Sequence, residues 1–375
     1  MKYEELRKKV QKHPKHEGCV EIDRSPLIHA GFPGTFNLSF TEHPWLQEFG
    51  KYMGFDHDYH FSTIQSCIRP NDIPLIGGEG SWKYLGVFEM GGLNGMLTFR
   101  DYPGYREIQG SQIKDLVSFL QDLGVSKERI HPSYCVGGNV RELTNGKYEF
   151  DLQIPEDNIS KEGFLEAGVP EENLIRDQSR DTFLSLNLLH EAGSGGTTLS
   201  YSPWGYRNEI NVKMLDGRLL DVGTFERFEW APIWEERNIV GLSTLKNGFF
   251  LSGLGLERTS MVDNDLERVQ DVDFIKPFYD LMEDQIGDRN PLSGESLRAL
   301  HRIYSDVKKF DLGELSKPRK KRLRKILQNI PKNLNYSQIK DLLQVHSETQ
   351  PWHPEMKDGI ESAIERIKVY RGGRK

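Results

Sequence analysis

This sequence predicts an α+β protein: a largely antiparallel sheet flanked by helices, followed by a helical, basic C-terminal domain. Three observations carry that reading. Between about Asp23 and Asn264, short apolar runs with β-branched and aromatic residues are broken by Gly, Pro and Asn. From about Asp271 onward the apolar spacing turns helical. The charge also changes sign along the chain: residues 301–375 hold 18 basic and 9 acidic residues, whereas the preceding part holds 31 and 47. Sheet first and helices afterwards divide the chain into an N-terminal helical segment at 1–23, a sheet domain at 24–270 and a helical domain at 271–375.

The opening MKYEELRKKVQK reads as a charged amphipathic helix without the apolar centre of a secretory signal. His13, His16 and Cys19 are spaced like metal ligands but have no nearby partner set, so a solvated segment is expected there rather than a zinc site. Strands are expected over 34–40, 84–90, 95–99, 209–214 and 248–251. A helix is expected over 112–123, where Ile113, Leu116, Val117 and Leu120 share one face and Gly124 stops the run. Another, over 160–167, ends at the turn Gly168-Val169-Pro170. Five more follow, over 274–282, 296–310, 320–330, 337–345 and 355–370.

With 37% hydrophobic and 28% charged residues, the composition is ordinary for a globular protein. No apolar run approaches the ~18–20 residues of a membrane helix, so no membrane partner is expected. Three widely scattered cysteines argue against a disulfide framework and fit a reducing cytoplasm. The net charge of -7 conceals an acidic body and a basic tail. The most basic segment carries Lys317, Arg319, Lys320, Lys321, Arg322, Arg324 and Lys325, candidates for binding a polyanion such as RNA. The alternative is a solvated face that balances the acidic body.

Two arginines stand out for chemistry. Arg69 lies in Cys67-Ile68-Arg69-Pro70-Asn71-Asp72-Ile73 after an alternating apolar stretch, so it is expected at a strand end. There a planar fork can bridge carboxylate and phosphate oxygens. Arg258 closes Gly253-Leu254-Gly255-Leu256-Glu257-Arg258, whose glycines permit close approach of backbone and nucleotide. Phe88, in Phe88-Glu89-Met90 between them, offers a ring on which a base could stack. Activating a carboxylate with ATP needs such cations, such a platform and a fixed site for the acid.

In this order the motifs resemble the catalytic region of alanyl-tRNA synthetases, members of the class II aminoacyl-tRNA synthetases. The likeness begins at Ser25-Pro26-Leu27-Ile28 and Leu38-Ser39-Phe40-Thr41, similar to the first class II motif. It runs through Gln65-Ser66-Cys67-Ile68-Arg69-Pro70-Asn71-Asp72-Ile73 and Phe88-Glu89-Met90 of the second motif. Gly168-Val169-Pro170-Glu171-Glu172-Asn173 and Ser202-Pro203-Trp204-Gly205 to Glu209-Ile210 follow, and Gly253 to Arg258 is the third motif. The resemblance implies a class II-like sheet fold, ATP and Mg2+, an amino acid or related carboxylate as substrate, and tRNA as acceptor. It implies Arg69 at the α-phosphate, Phe88 under adenine and Arg258 on the γ-phosphate side. Lys83, Tyr84, Glu89 and Gly255 complete the nucleotide set. Leu184, Glu209, Asp221, Gly223, Leu251 and Gly253 form the substrate set, and Asp221 is also the candidate magnesium ligand.

Two departures change the expected substrate. Leu251-Ser252 stand where the family has an Asp-Thr whose carboxylate holds the ammonium of alanine. Leu184 replaces a pocket tryptophan, next to an apparent insertion at 185–196. An ammonium buried against leucine without an anion costs several kcal/mol, so Asp221, Glu226 or Glu229 is expected to replace the missing acid, or the substrate differs from alanine. The family's long tRNA-recognition and editing regions are not evident after the third motif. Adenylation for a carrier protein or small-molecule acceptor, and a catalytically silent RNA-binding paralogue, are the other readings.

Overall fold

The computed structural model describes residues 1–12, 19–28, 36, 59–97, 102–179, 181–185, 190–192, 196–198, 203–236 and 238–373. His13 and His16, the segment Leu38-Ser39-Phe40-Thr41, the strand expected over 34–40 apart from Phe36, and most of 185–196 lie outside the described residues.

Alternation of facing residues builds the central sheet. Its nine strands are β1 (Val20–Glu21), β2 (Tyr59–Ile68), β3 (Val87–Leu97), β4 (Ile130–Cys135), β7 (Ile175–Asp177), β8 (Phe183–Ser185), β11 (Trp204–Lys213), β12 (Leu219–Glu235) and β13 (Asn238–Gly255). Two small ribbons pair β5 (Gly138–Asn139) with β6 (Gln153–Ile154), and β9 (His190–Ala192) with β10 (Gly196–Thr198). The sheet order is β1-β2-β3-β13-β12-β11-β4-β7, with β8 on β11. All pairs from β2 across to β4 are antiparallel; only the flanking pairs β1·β2 and β4·β7 are parallel among these strands.

The strands expected separately over 84–90 and 95–99 meet in one strand, β3, which starts at Val87 rather than at 84; residues 98 and 99 lie outside the described residues. Glycines at 91, 92 and 95 interrupt the apolar pattern and disguise the continuity. Gly92 is required by contact: a Cβ there would stand 1.9 Å from the carbonyl oxygen of Ser252 on β13. The strand expected over 209–214 belongs to β11, which starts earlier, at Trp204, and ends at Lys213; the one expected over 248–251 extends much further, because β12 and β13 form a hairpin of 17 and 18 residues.

Ten α-helices occur among the described residues. They are α1 (Tyr3–Lys12), α2 (Tyr102–Asp122), α3 (Val140–Leu143), α4 (Asn158–Glu166), α5 (Leu256–Asn264), α6 (Lys276–Ile286), α7 (Pro291–Lys309), α8 (Lys317–Gln328), α9 (Tyr336–Glu348) and α10 (Met356–Gly372). No described helix is long and apolar enough to cross a membrane. Helix starts follow capping chemistry. Asn290 accepts from the Ser293 N–H at 3.0 Å and Pro291 sets the first turn of α7. Asn335 and Gln338 cap α9 reciprocally.

The fold is therefore α+β, with the sheet flanked by helices and followed by a helical C-terminal region. The main apolar core crosses the boundary expected at 270. It joins Ile64, Ile68, Val87 and Leu254 of the sheet to Leu297, Leu300, Ile303 and Leu323 of the C-terminal helices. A smaller cluster, Phe61, Cys67, Met90, Phe228, Phe249 and Leu251, sits apart from it, with Phe88 and Leu184 packed against it.

Buried charges reinforce the same junction. Glu89 accepts from the Tyr3 hydroxyl at 3.1 Å and from Arg7 Nε at 3.0 Å, and it meets His353 Nε2 at 2.9 Å. Arg302 donates to the Ser66 hydroxyl at 3.2 Å and to His353 Nδ1 at 2.9 Å. Those contacts make Nε2 the protonated ring nitrogen of a neutral His353. Burial, then the Arg302 charge, lowers the His353 pKa. Asp306, fully buried, accepts from Arg24 at 2.7 and 3.0 Å and from the Leu27 N–H at 2.7 Å.

Candidate active site

A cleft of about 550 Å³, open to solvent, lies on the sheet between the ends of β2, β3, β11, β12 and β13. Arg69 enters it just beyond β2, Phe88 from β3, and Arg207 and Glu209 from β11. Asp221 and Gly223 enter from β12, and Gly255 with Arg258 from the junction of β13 and α5. Residues 69 and 258, far apart in sequence, thus line one space.

The Arg69 guanidinium stands over the Phe88 ring, 5.0 Å from its centroid. Arg258 Nη1 donates to the Asp221 carboxylate at 2.8 Å and to the Asp221 backbone carbonyl at 3.1 Å. Its Nε donates to the Lys83 carbonyl at 3.2 Å, which ties the loop between β2 and β3 to the start of α5. Lys83 itself lines the cleft. Arg207 Nη2 lies 2.5 Å from Glu209 and its Nε lies 3.5 Å from Glu226.

Three arginines and a lysine therefore share the cleft with carboxyl groups, and burial decides which acids keep their protons. Burial, then the negative charge of Asp221, pushes Glu209 up to about 8 although Arg207 opposes the shift. Burial, then the charge of Glu89, pushes Glu257 up to about 8. The Glu257 carboxyl oxygens both accept from the Glu89 N–H at 3.0 Å. Near pH 7 the cleft thus carries more positive charge than its residue count suggests.

Of the expected nucleotide and substrate residues, Arg69, Lys83, Phe88, Glu209, Asp221, Gly223, Gly255 and Arg258 line the cleft. Others do not. Glu89 follows Phe88 on a strand, so its side chain takes the opposite face of the sheet, where Tyr3, Arg7 and His353 hold it. Tyr84 packs against the main core and receives the Lys83 ammonium 5.8 Å from its ring. Leu251 is fully buried in the smaller apolar cluster, with Leu184 packed beside it. Gly253 pairs with Gly92 and Thr224 within the sheet. Asp221, expected as a magnesium ligand, is paired with Arg258.

On α8 the expected basic face is narrower than the charge run. Arg319 is buried with Leu323, Ile326 and Leu327, and Lys320 pairs with Glu314 at 2.5 Å. Lys321, Arg324 and Lys325 are exposed and Arg322 is half-buried. A helical period places residues three and four apart on one side, so Arg319 shares the core face with Leu323.

Arg207 and Glu257 are cleft residues that motif reasoning does not single out. Arg207 was legible in principle, because it lies two residues from Glu209 on a strand and shares its face.

No family model matches this chain, and no curated protein matches it. Among solved structures it is similar to the RNA-binding domain of threonyl-tRNA synthetase from Cryptosporidium parvum Iowa II, at 11% identity and TM-score 0.39, over 70% of this chain and 63% of that one. It is similar to PylSc, a pyrrolysyl tRNA synthetase of Desulfitobacterium hafniense, at 12% identity and TM-score 0.31, over 72% and 71%. A further structure, pyrrolysyl-tRNA synthetase of the same organism, aligns at 16% identity and TM-score 0.30, over 72% of each chain. The chain thus spans 63% of the length of the threonyl structure.

Proposed function

We propose that the cleft activates an amino acid or related carboxylate with ATP and passes the acyl group to the 3′ end of a tRNA. One observation carries this reading: Arg69 and Arg258 line the same cleft with Phe88 on its wall. In the proposed reaction an oxygen of the acid attacks the α-phosphorus, the bond to the β-phosphate oxygen breaks, and pyrophosphate leaves. A ribose hydroxyl of the RNA then attacks the acyl carbon. The bond to AMP breaks, AMP departs, and the hydroxyl proton passes to solvent.

Each side chain has a role in that scheme. Arg69 bridges the acid and the α-phosphate and neutralises charge as the pentavalent phosphorus forms. Phe88 carries the adenine when the Arg69 guanidinium turns to the phosphate. Arg258 exchanges Asp221 for the terminal phosphates. Magnesium is implied by the same family resemblance. Among the described residues no group of three or more His, Cys, Asp or Glu is arranged to hold a metal ion. A magnesium ion that arrives with the phosphates takes one or two protein carboxylates, and Asp221, which lines the cleft, would be the one to hold it here. Bound there, magnesium would neutralise the leaving pyrophosphate.

Alanine is the acid the family resemblance favours, and buried Leu251 in place of an acid weighs towards another. The direct test is amino-acid-dependent exchange of pyrophosphate into ATP across the twenty standard amino acids. Exchange supports activation; its absence, together with no ATP-induced thermal shift at millimolar nucleotide, removes the enzymatic reading in favour of a silent RNA-binding protein.

The charge state of the cleft gives a pH prediction. Glu209 and Glu257 are neutral below about 8 and ionise above it, which adds negative charge beside the triphosphate. Affinity for metal-free ATP is therefore expected to fall as pH rises from 7 to 9, and Glu209→Gln should flatten the fall. Calorimetric titration across that range checks it, and a rising affinity would contradict the assignment.

RNA binding is expected to use the exposed side of α8. Changing Lys321 and Arg324 to glutamate should weaken tRNA binding at every sequence and reduce the salt slope by about one for each phosphate no longer neutralised. Filter binding over a salt series reads both, and unchanged slopes would make this helix a solvated face.

A further inference from the structure

We infer that Trp82 and Arg218 form a latch between the β2–β3 loop and the β11–β12 turn, and that this latch positions Lys83 for the triphosphate. Resting on the proposed use of ATP, it adds two positioning residues to that site, neither of which lines the cleft.

Turn chemistry fixes one half of the latch. Between β11 and β12 the Met214 N–H donates to the Arg218 carbonyl at 2.8 Å, and Gly217 takes a φ of 88°, a conformation that suits glycine. Asp216, in the same turn, holds the guanidinium that follows. Its Oδ2 accepts from Arg218 Nε at 2.6 Å and its Oδ1 accepts from the Arg218 N–H at 3.0 Å. Arg218 Nη2 also donates to the Glu267 carbonyl at 3.3 Å. These contacts engage the cation along its edges and leave its flat face for packing. That face lies 4.0 Å from the centroid of the Trp82 ring. Indole is the ring that attracts a cation most strongly, and a planar guanidinium stacks on it.

The other half is a loop that is open at its start and tied at its end. Residues 77–80 are exposed. Gly77 and Gly80 take φ of 93° and 73°, and a Cβ on either would meet nothing within 4 Å among the described residues. After the helical turn Ser81–Lys83 the chain is held. Trp82 packs against the main core and under Arg218, the Lys83 carbonyl accepts from Arg258 Nε at 3.2 Å, and the Tyr84 carbonyl accepts from Gln270 at 3.1 Å. Of these ties, Arg258 is the one that the proposed reaction turns towards the phosphates. The Trp82–Arg218 stack lies outside the cleft, so it keeps cleft-lining Lys83 in place while Arg258 changes partners.

Trp82→Ala and Arg218→Ala should each raise the Kd for ATP, and the KM for ATP in pyrophosphate exchange, by on the order of 10-fold. Turnover should stay within about threefold, since the lost contact serves binding rather than the transition state alone. Trp82→Phe and Arg218→Lys should recover part of the affinity, because one keeps a ring and the other a charge. The double variant Trp82→Ala/Arg218→Ala should lose no more than either single one, as expected of residues that act as a pair. On a Lys83→Ala background, Arg218→Ala should cost nothing further, which a general loss of stability would not reproduce. Calorimetric titration with ATP reads the affinities, and circular dichroism checks the fold. Asp216→Ala, at an exposed position, loosens the guanidinium without touching the packed ring and should give a smaller loss, so the latch is tested even where Trp82→Ala unfolds. Unchanged ATP affinity in Arg218→Ala, or an equal further loss on the Lys83→Ala background, overturns the latch and leaves the proposed activation standing. If wild-type protein neither binds ATP nor exchanges pyrophosphate, the proposed reaction falls, and the latch with it.

Discussion

Arg69→Ala is expected to reduce pyrophosphate exchange by on the order of 10³-fold, chiefly in kcat, since removing one preorganised charge donor at a transition state typically costs that much. The reason is geometric. Arg69 follows the last residue of β2, and its guanidinium lies over Phe88 at the wall of the cleft. There it would meet the proposed substrate in a partly dry site, where a charge-assisted bond is worth more than in water. Arg69→Lys should recover little, because a point charge cannot bridge two planar oxygen pairs. Arg258→Ala should act differently: it leaves Asp221 without its 2.8 Å partner and should appear mainly as a higher KM for ATP. Exchange kinetics with ATP and the acid varied separately distinguish the two. Exchange within tenfold of wild type in Arg69→Ala would remove this residue from the reaction.

The second large effect is on stability. Glu89→Ala is expected to destabilise the fold by roughly 3–5 kcal/mol, the usual cost of breaking a buried ion pair by removing one partner. Tyr3, Arg7 and His353 would each be deprived of an acceptor inside the structure. Burial alone would raise the Glu89 pKa, but Arg7 and His353 outweigh it and hold the carboxyl far below its ordinary 4.5. A depressed carboxylate contributes stability above the unfolded pKa and loses it as pH falls. The difference in unfolding free energy between wild type and Glu89→Ala should therefore be full at pH 7 and shrink below about 4.5. Chemical denaturation at several pH values measures this. ATP affinity per folded molecule should survive; its loss without loss of stability would return Glu89 to the nucleotide site.

Much of the architecture was legible because helix period and turn chemistry are local. The helices expected over 337–345 and 355–370 occur as Tyr336–Glu348 and Met356–Gly372. The helix expected at 296 begins at Pro291, where the Asn290 cap and a first-turn proline extend it beyond its apolar face. Long strands were harder. In β12, Phe225, Phe228 and buried Arg227 and Glu226 follow one another without clean alternation, because both faces of the sheet are covered. The convergence of Arg69 and Arg258 could be read from motif order. The orientation of Glu89 could not be read from motif membership, which carries a residue's identity but not its face. The partner that holds it, His353, is 264 residues away. Leu251 and Leu184 mark an apolar wall beside the cleft, and that distinction depends on packing across β13 that no spacing reveals.

Phe88 and Glu89 occupy successive positions of one strand yet serve opposite sides of it. A recombinant fragment stopped near residue 270 would deprive Glu89 of His353 and uncover Ile64, Ile68 and Val87. Treating the last hundred or so residues as a detachable RNA handle is therefore the wrong plan for dissecting this molecule. Its C-terminal helices are underlay for the surface on which the nucleotide is proposed to rest, and point changes on the exposed side of α8 are the safer way to test the proposed RNA binding separately from the proposed activation.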